Sequence, residues 1–252
     1  MKNPIKNIII LLLLFSVLWA CKKEDPVELV NFTDQNLFSV LLEQGIDTDK
    51  DGFISVEEAQ SVKKITIVAS RISDFSDLKA FSNLDSLVLK MVSLEYLDLS
   101  VISELRYLDC NLCDFTHVDL SGNFNLEEII CEKNQIESLK LPPGQVLQSL
   151  RCSYNRLREL DVSKNPALVS LHCDNNFITQ LDLSNNLQLT RMISCVNQLT
   201  SLDVSKNKSI TVLGVGSMPM LTEVFVWTLP FPPEGVKVIM PNSTRINFML
   251  KE

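Results

Sequence analysis

Leu168-Val169-Ser170-Leu171-His172-Cys173-Asp174-Asn175-Asn176-Phe177-Ile178-Thr179-Gln180-Leu181-Asp182-Leu183-Ser184-Asn185-Asn186-Leu187-Gln188 is one period of a pattern that runs through two thirds of the chain. Leu84, Leu105, Leu126, Leu147, Leu168, Leu189 and Ile210 stand 21 residues apart. Three residues on come Leu87, Leu108, Ile129, Leu150, Leu171, Met192 and Leu213. Five on come Leu89, Cys110, Cys131, Cys152, Cys173, Ser194 and Val215, and eight on Asn134, Asn155, Asn176 and Asn197 recur. A second apolar triplet follows in each unit, such as Ile178, Leu181 and Leu183, and Asn123, Asn165, Asn186 and Asn207 close the units. A fixed period of this length marks stacked structural units. Alternation such as Leu108 and Cys110 suits a short strand with one buried face. No single coil can bury its own leucines, so stability comes from neighbouring coils. Two apolar triplets per period predict two strand segments per coil and little helix. The expected fold class is a β-rich solenoid of parallel 21-residue coils, with the Asn columns hydrogen-bonding backbone at each corner.

The consensus, LxxLxCxxNxLxxLDLSxNxx, resembles the leucine-rich repeat, specifically the bacterial 21-residue class, over about residues 62–229. That resemblance implies a non-catalytic protein that recognises a protein or glycan ligand on its solenoid face. The outward positions of the first strand of each coil are the candidate binding face: Tyr107, Asp109, Glu128, Ile130, Glu132, Arg151, Tyr154, His172, Asn175, Arg191 and Ile193. Aromatic and arginine side chains are favoured anchors at interfaces. The alternative reading is an accessory or scaffold subunit of an outer-membrane nutrient-handling complex.

Two further columns invite chemistry. Cys110, Cys131, Cys152 and Cys173 share one register, and parallel Cβ vectors make poor disulfide geometry, so they read as small apolar core residues. Cys113 stands where other coils carry Asn, and Cys195 lies one position out of the column and is expected to be more exposed. Asp119, Asp161, Asp182 and Asp203 form an acidic column interrupted by Lys140, and each Asp is expected to cap its own Ser-x-Asn corner.

Before the repeats, Asp34 to Gln44 reads as an amphipathic helix, with Leu37, Phe38, Leu41 and Leu42 on one side. Asp47-Thr48-Asp49-Lys50-Asp51-Gly52-Phe53-Ile54-Ser55-Val56-Glu57-Glu58 follows and matches the EF-hand calcium loop, with a second helix from Glu58 to about Lys63. A hard cation takes six to eight oxygens, roughly 2.3–2.6 Å away. The expected ligands are the carboxylates of Asp47, Asp49 and Asp51, the Phe53 carbonyl, Ser55 directly or through water, and a bidentate Glu58. EF-hands usually pair through the residue at Ile54, and the sequence holds no second such loop. Calcium is therefore expected as a structural clamp on the N-terminal cap rather than as a signal.

Lys2 and Lys6 precede an apolar run from Ile8 to Ala20, too short for a bilayer span of about 20 residues and suited to a signal peptide. Leu18-Trp19-Ala20-Cys21 resembles a bacterial lipobox, and the resemblance implies cleavage before Cys21 and its lipidation. Lys22-Lys23-Glu24-Asp25 resembles an outer-membrane export signal, which implies a surface-exposed outer membrane lipoprotein tethered by its lipid. The expected organisation is a signal peptide over 1–20, a lipid-anchored linker over 21–32, the calcium-loop cap over 33–64, repeats over 65–229 and a C-terminal cap over 230–252. Val236 to Met240 and Arg245 to Met249 are candidate closing strands.

Composition narrows the function classes. The chain of 252 residues is 46% apolar, with 39 leucines, and carries a formal charge of −8. An acidic field without a basic stripe disfavours phosphate backbones, which argues against nucleic acid. His117 and His172 are the only histidines, they fall in different registers of the repeat, and neither has a nucleophile at motif spacing. The expectation is no enzyme.

Overall fold

The computed structural model describes residues 26–68, 71–240 and 246–251. Cys21, the apolar leader and the lipobox lie outside the described residues. Two helices open the described part of the chain, α1 (Gln35–Glu43) and α2 (Val56–Ser61). Asp34 and Gln44 cap α1 rather than belonging to it. Helix α2 starts earlier than the sequence suggested because Ser55 and Glu58 form a reciprocal capping box that fixes Val56 as its first residue.

Fifteen strands follow among the described residues: β1 (Lys64–Val68), β2 (Ser86–Lys90), β3 (Tyr96–Asp98), β4 (Tyr107–Asp109), β5 (His117–Asp119), β6 (Glu128–Ile130), β7 (Ser138–Lys140), β8 (Ser149–Arg151), β9 (Ser170–His172), β10 (Arg191–Ile193), β11 (Ser201–Asp203), β12 (Val212–Gly214), β13 (Glu223–Val226), β14 (Lys237–Ile239) and β15 (Asn247–Leu250). One side of the solenoid is a nine-stranded parallel sheet in the order β1-β2-β4-β6-β8-β9-β10-β12-β14. Its register follows the 21-residue period, so Leu108 stands opposite Ile129, Ile129 opposite Leu150, and Leu171 opposite Met192.

The other side carries two three-stranded sheets, β3-β5-β7 and β11-β13-β15. The expectation of two strands in every coil fails there, because pairing lapses at residues 159–161 and 180–182 although Leu160 and Leu181 remain buried. Hydrophobic spacing reports which side chains point inward, and it does not fix whether the backbone completes a ladder. At the C-terminal end β14 and β15 continue both sides in register against β12 and β13.

The leucine columns and the four column cysteines are buried in one continuous core that also takes in Phe32, Leu37 and Leu41 of the cap. All described cysteines are free thiols. Burial pushes the Cys131 thiol up to about 12 and holds Cys110, Cys152 and Cys173 well above the ordinary thiol range, so the column is neutral core. The Asn columns satisfy the backbone where the chain leaves each strand. Asn155 Nδ2 donates to the carbonyls of Cys131 (2.9 Å) and Cys152 (3.0 Å), and its Oδ1 accepts from Ile136 N–H (3.0 Å). Asn176 repeats these contacts one coil on. Cys113, in the same column, sits with its Sγ 3.6 Å from the Leu89 carbonyl, as the Asn amides do elsewhere. Asp161, Asp182 and Asp203 each accept from the N–H of the Ser two residues on, at 2.8–2.9 Å.

The turn that delivers each Asn inward is left-handed. Met91, Leu112, Lys133, Tyr154, Asn175, Val196 and Ser217 stand 21 residues apart, and each has a φ between 54° and 59°. That conformation favours Gly, Asn or Asp. Six of these seven are none of them, which is why the turn was not evident from composition.

Candidate functional site

The nine-stranded sheet places its outward residues in rows across the coils, since Cα partners in a parallel ladder share one face. One row runs Tyr107, Glu128, Ser149, Ser170, Arg191 and Val212, and the neighbouring one Asp109, Ile130, Arg151, His172, Ile193 and Gly214. Tyr107, Glu128, Ile130, Arg151, His172 and Ile193 are half-buried and Arg191 is exposed. Four expected members are corrected, and Glu132, which follows β6 rather than lying on it, is one of them. Asp109 is 9% exposed, its Oδ1 accepting from Asn111 N–H and its Oδ2 lying 3.9 Å from Lys90 Nζ, so it lines the face instead of projecting from it. Tyr154 is not on a strand: it occupies the left-handed corner after β8 with φ 59° and is 53% exposed, at the rim of the sheet. Asn175 is at the same corner one coil on.

The centre of the face is a polar network. Arg151 bonds Glu132 through both ends of its guanidinium, Nε to Oε1 at 3.1 Å and a terminal nitrogen to Oε2 at 3.0 Å. Asp174 accepts from Ser153 Oγ and from Asn175 Nδ2. His172 Nε2 is buried with no hydrogen-bond partner among the described residues. Its burial and the guanidinium groups of Arg151 and Arg191 hold the imidazole below its usual pKa, which keeps it neutral at pH 7. Burial and the nearby Asp109 and Glu128 raise the Tyr107 phenol. Cys195 is half-buried, and its Sγ accepts from Gly216 N–H at 3.3 Å. Lys64, Thr66, Ser86 and Lys90 extend the face toward the cap and were missed in the sequence. The register of Leu84 and Leu87 makes Ser86 and Val88 outward, and following it one coil back reaches Lys64 and Thr66.

In the helix–loop–helix segment, carboxylate oxygens of Asp47, Asp49 and Glu58 lie within 4.8 Å of one another. Asp51 is not in this group and accepts instead from Phe53 N–H at 2.8 Å. Asp47 accepts from Lys50 N–H (2.7 Å) and Gly52 N–H (3.0 Å), with Gly52 at φ +89°, where a side chain would be strained. Glu58 is saturated by protein donors: Oε1 takes Thr48 N–H (2.6 Å) and Oγ1 (2.8 Å), and Oε2 takes Ser55 N–H (2.9 Å) and Oγ (2.9 Å). The Ser55 amide first, outweighing a smaller opposing effect of burial, and then Thr48, hold its carboxyl at about 2. Ser55 Oγ is committed to this capping box, so it is not positioned as a free donor. No donor among the described residues reaches the Phe53 carbonyl.

Buried carboxylates fasten this segment to the solenoid. Asp34 Oδ1 caps α1 through Asn36 and Leu37 N–H, both at 2.9 Å, and its Oδ2 accepts from Ser73 N–H and Oγ, both at 2.7 Å. Asp77 Oδ2 accepts from Thr33 N–H (2.7 Å), Thr33 Oγ1 (2.9 Å) and Asp34 N–H (3.2 Å). Among the described residues no helix is long and apolar enough to cross a membrane.

The sequence matches no protein-family model and no curated protein. Among solved structures, internalin C2 from Listeria monocytogenes aligns with a TM-score of 0.64 at 13% identity, covering 85% of this chain and 97% of that one. The leucine-rich repeat domain of LRIM1 aligns with a TM-score of 0.50 at 19% identity, covering 79% and 71%. The functional domain of InlJ from Listeria monocytogenes, described as including a cysteine ladder, is 25% identical over 81% of this chain at a TM-score of 0.48. This chain spans 57% of the length of that domain. The fold of this chain is the leucine-rich repeat solenoid.

Proposed function

We propose that the chain is a surface-anchored, non-catalytic binding protein that recognises a protein or glycan on the outward face of the nine-stranded sheet, with calcium clamping its N-terminal cap. The observation that carries this reading is the run of Tyr107, Ile130, Arg151, His172, Arg191 and Ile193 across the successive paired strands β4, β6, β8, β9 and β10, where rigid backbone presents aromatic, apolar and guanidinium groups together. Extended solenoid faces offer such surfaces because neighbouring coils add to one another without loops between them. Lipidation at Cys21 and the outer-membrane address are part of the proposal and rest on the sequence.

Calcium suits the loop by donor chemistry: Asp47 and Asp49 offer converging hard oxygens, the Phe53 carbonyl has no protein donor among the described residues, and Glu58 would join them by giving up its bonds from Thr48 or Ser55. The ion would supply charge neutralisation and rigidity, not catalysis. Cross-linking on intact cells tests the binding role, comparing the parent with Arg151→Ala/Ile193→Asp. Capture of a protein or glycan that the double variant loses supports the face; equal capture by both chains removes it. Capture of the cell's own outer-membrane transporters or enzymes would select the accessory-subunit alternative.

A further inference from the structure

At the cap end of the nine-stranded sheet, β1, β2 and β4 form a shallow depression of about 560 Å³ that is open to solvent. Its shape follows from side-chain length in two cross-strand rows. Lys64, Ser86 and Tyr107 are partners in one, and Thr66, Val88 and Asp109 in the next. Ser86, Thr66 and Val88 are short and make the floor, while Lys64, Tyr107 and the neighbouring Lys90 are long and stand around it. Lys64 Nζ, Thr66 Oγ1, Ser86 Oγ and Tyr107 OH have no protein hydrogen-bond partner among the described residues, and Lys90 reaches Asp109 only at 3.9 Å. The chain as a whole carries −8, yet this concavity holds two ammonium groups against one carboxylate.

Each group narrows the ligand. Two lysines select an anion. Three hydroxyls and a shielded carboxylate acceptor select a ligand rich in hydroxyl groups, because Asp109 accepts such donors and repels a second acid. The Tyr107 ring offers an apolar platform with a polar tip. An acidic peptide would engage the lysines but would turn carboxylates toward Asp109 and leave the floor hydroxyls unused.

We infer that this concavity binds a carboxylate-bearing saccharide, uronic acid units within a glycan chain, with Lys64 and Lys90, at opposite ends of the paired strands, on carboxylates of that chain and Asp109, Ser86 and Thr66 on its hydroxyls. The inference rests on the binding role proposed above and names the ligand class of one part of that face.

Calorimetric titration of the full chain with oligogalacturonate tests it, run with chelator present because uronates themselves take up calcium. Methyl-esterified oligogalacturonate, which keeps the shape and loses the charge, and a glutamate-rich peptide are the comparison probes. The expected result is binding of the acid form, at least tenfold weaker for the ester and the peptide, and at least tenfold weaker in Lys64→Gln/Lys90→Gln. Those side chains are exposed, so the variant is expected to keep the parent's melting temperature. Absence of binding, equal binding of the ester, tighter binding of the peptide or indifference to the lysine variant each overturns the inference. Loss of the saccharide site with cell-surface capture by Arg151 and Ile193 intact removes this inference alone; the reverse outcome removes the wider face and leaves the saccharide site standing.

Discussion

The backbone N–H of Val30 donates to the carbonyl of Ile54 at 2.8 Å, and Val56 N–H returns a bond to the Glu28 carbonyl at the same distance. Leu29 and Ser55 thereby form an antiparallel bridge. Ile54 is the loop position through which calcium-binding hands usually pair with a second hand. Here residues 28–30, about 25 residues upstream in the same chain, occupy that edge, so the backbone of this acidic loop is satisfied in cis.

Replacing Val30 by proline removes that N–H and is expected to loosen the loop without touching the solenoid core. Calcium affinity should fall several-fold in calorimetry, and amide exchange should accelerate at residues 54–56 while the strands of the large sheet stay protected. Unchanged exchange there would show that the upstream segment does not hold the loop.

Asp49 and Glu58 separate metal binding from folding. Asp49 Oδ1 accepts only from Asp51 N–H, at 3.1 Å, and an Asn Oδ1 can do the same. Asp49→Asn should leave the metal-free melting temperature within a degree or two of the parent's and reduce the rise produced by calcium. Glu58→Ala should lower the melting temperature even without calcium, because Thr48 and Ser55 lose their acceptor. A calcium response in Asp49→Asn equal to that of the parent removes the proposed site.

Asn155 serves four backbone groups from one buried side chain, three of them at 3.0 Å or less and the Ser153 carbonyl at 3.4 Å. Asn155→Ala strips the Ile136 N–H and the Cys131 and Cys152 carbonyls of that partner at once. A buried group left unsatisfied costs about 1–3 kcal/mol, so a loss of about 2–4 kcal/mol is expected for the set. Urea unfolding measures it through the midpoint. A loss below about 1 kcal/mol would mean that water reaches the corner.

The repeat itself was legible because core packing writes directly into spacing: Leu84 to Ile210 fixed the coil length, and Asn134 to Asn197 fixed the corners. Other parts were hidden for physical reasons. Ladder completion on the second side depends on backbone separation, which Leu160 and Leu181 do not report. Asp109 has an outward register, but whether it projects depends on Lys90 and Asn111 beside it. The bridge from Leu29 to Ser55 uses main-chain atoms, which carry no side-chain signature. The acidic spacing of residues 47–58 is local and visible in the sequence, whereas the commitment of Ser55 to capping Glu58 needed three dimensions.

The cysteine column sets an alkaline limit. Cys131 has its pKa raised from an ordinary 9.0 to about 12, chiefly by burial. The folded state therefore keeps this proton where the unfolded chain releases it, so the contribution is complete below about pH 9 and is lost as pH rises toward 12. The urea midpoint should fall more steeply in the parent than in Cys131→Ala across that interval, and parallel curves would refute the burial. Cys152→Ser should cost only about 1 kcal/mol, because Ser194 already occupies the same register with its Oγ bonded to the Gly214 carbonyl at 3.2 Å.

Val196 makes the opposite kind of prediction, a gain. Its φ of 56° places a β-branched side chain in the left-handed region, at a cost of about 1–2 kcal/mol for an L-residue. It is 43% exposed, so little burial offsets that cost. The backbone bond that needs the turn, Val196 N–H to the Gly216 carbonyl at 3.0 Å, does not involve the side chain. Asn175 occupies the equivalent corner one coil earlier with φ 55°, which shows that Asn fits the geometry. Val196→Asn should therefore raise stability by about 0.5–1.5 kcal/mol, read as a higher urea midpoint with an unchanged slope. Val196→Gly should gain less, since the greater freedom of glycine in the unfolded chain works against it. If Val196→Asn lowers the midpoint, the exposed valine is packing against something the corner geometry does not reveal, and the left-handed column would then be held by side-chain contacts rather than tolerated despite them.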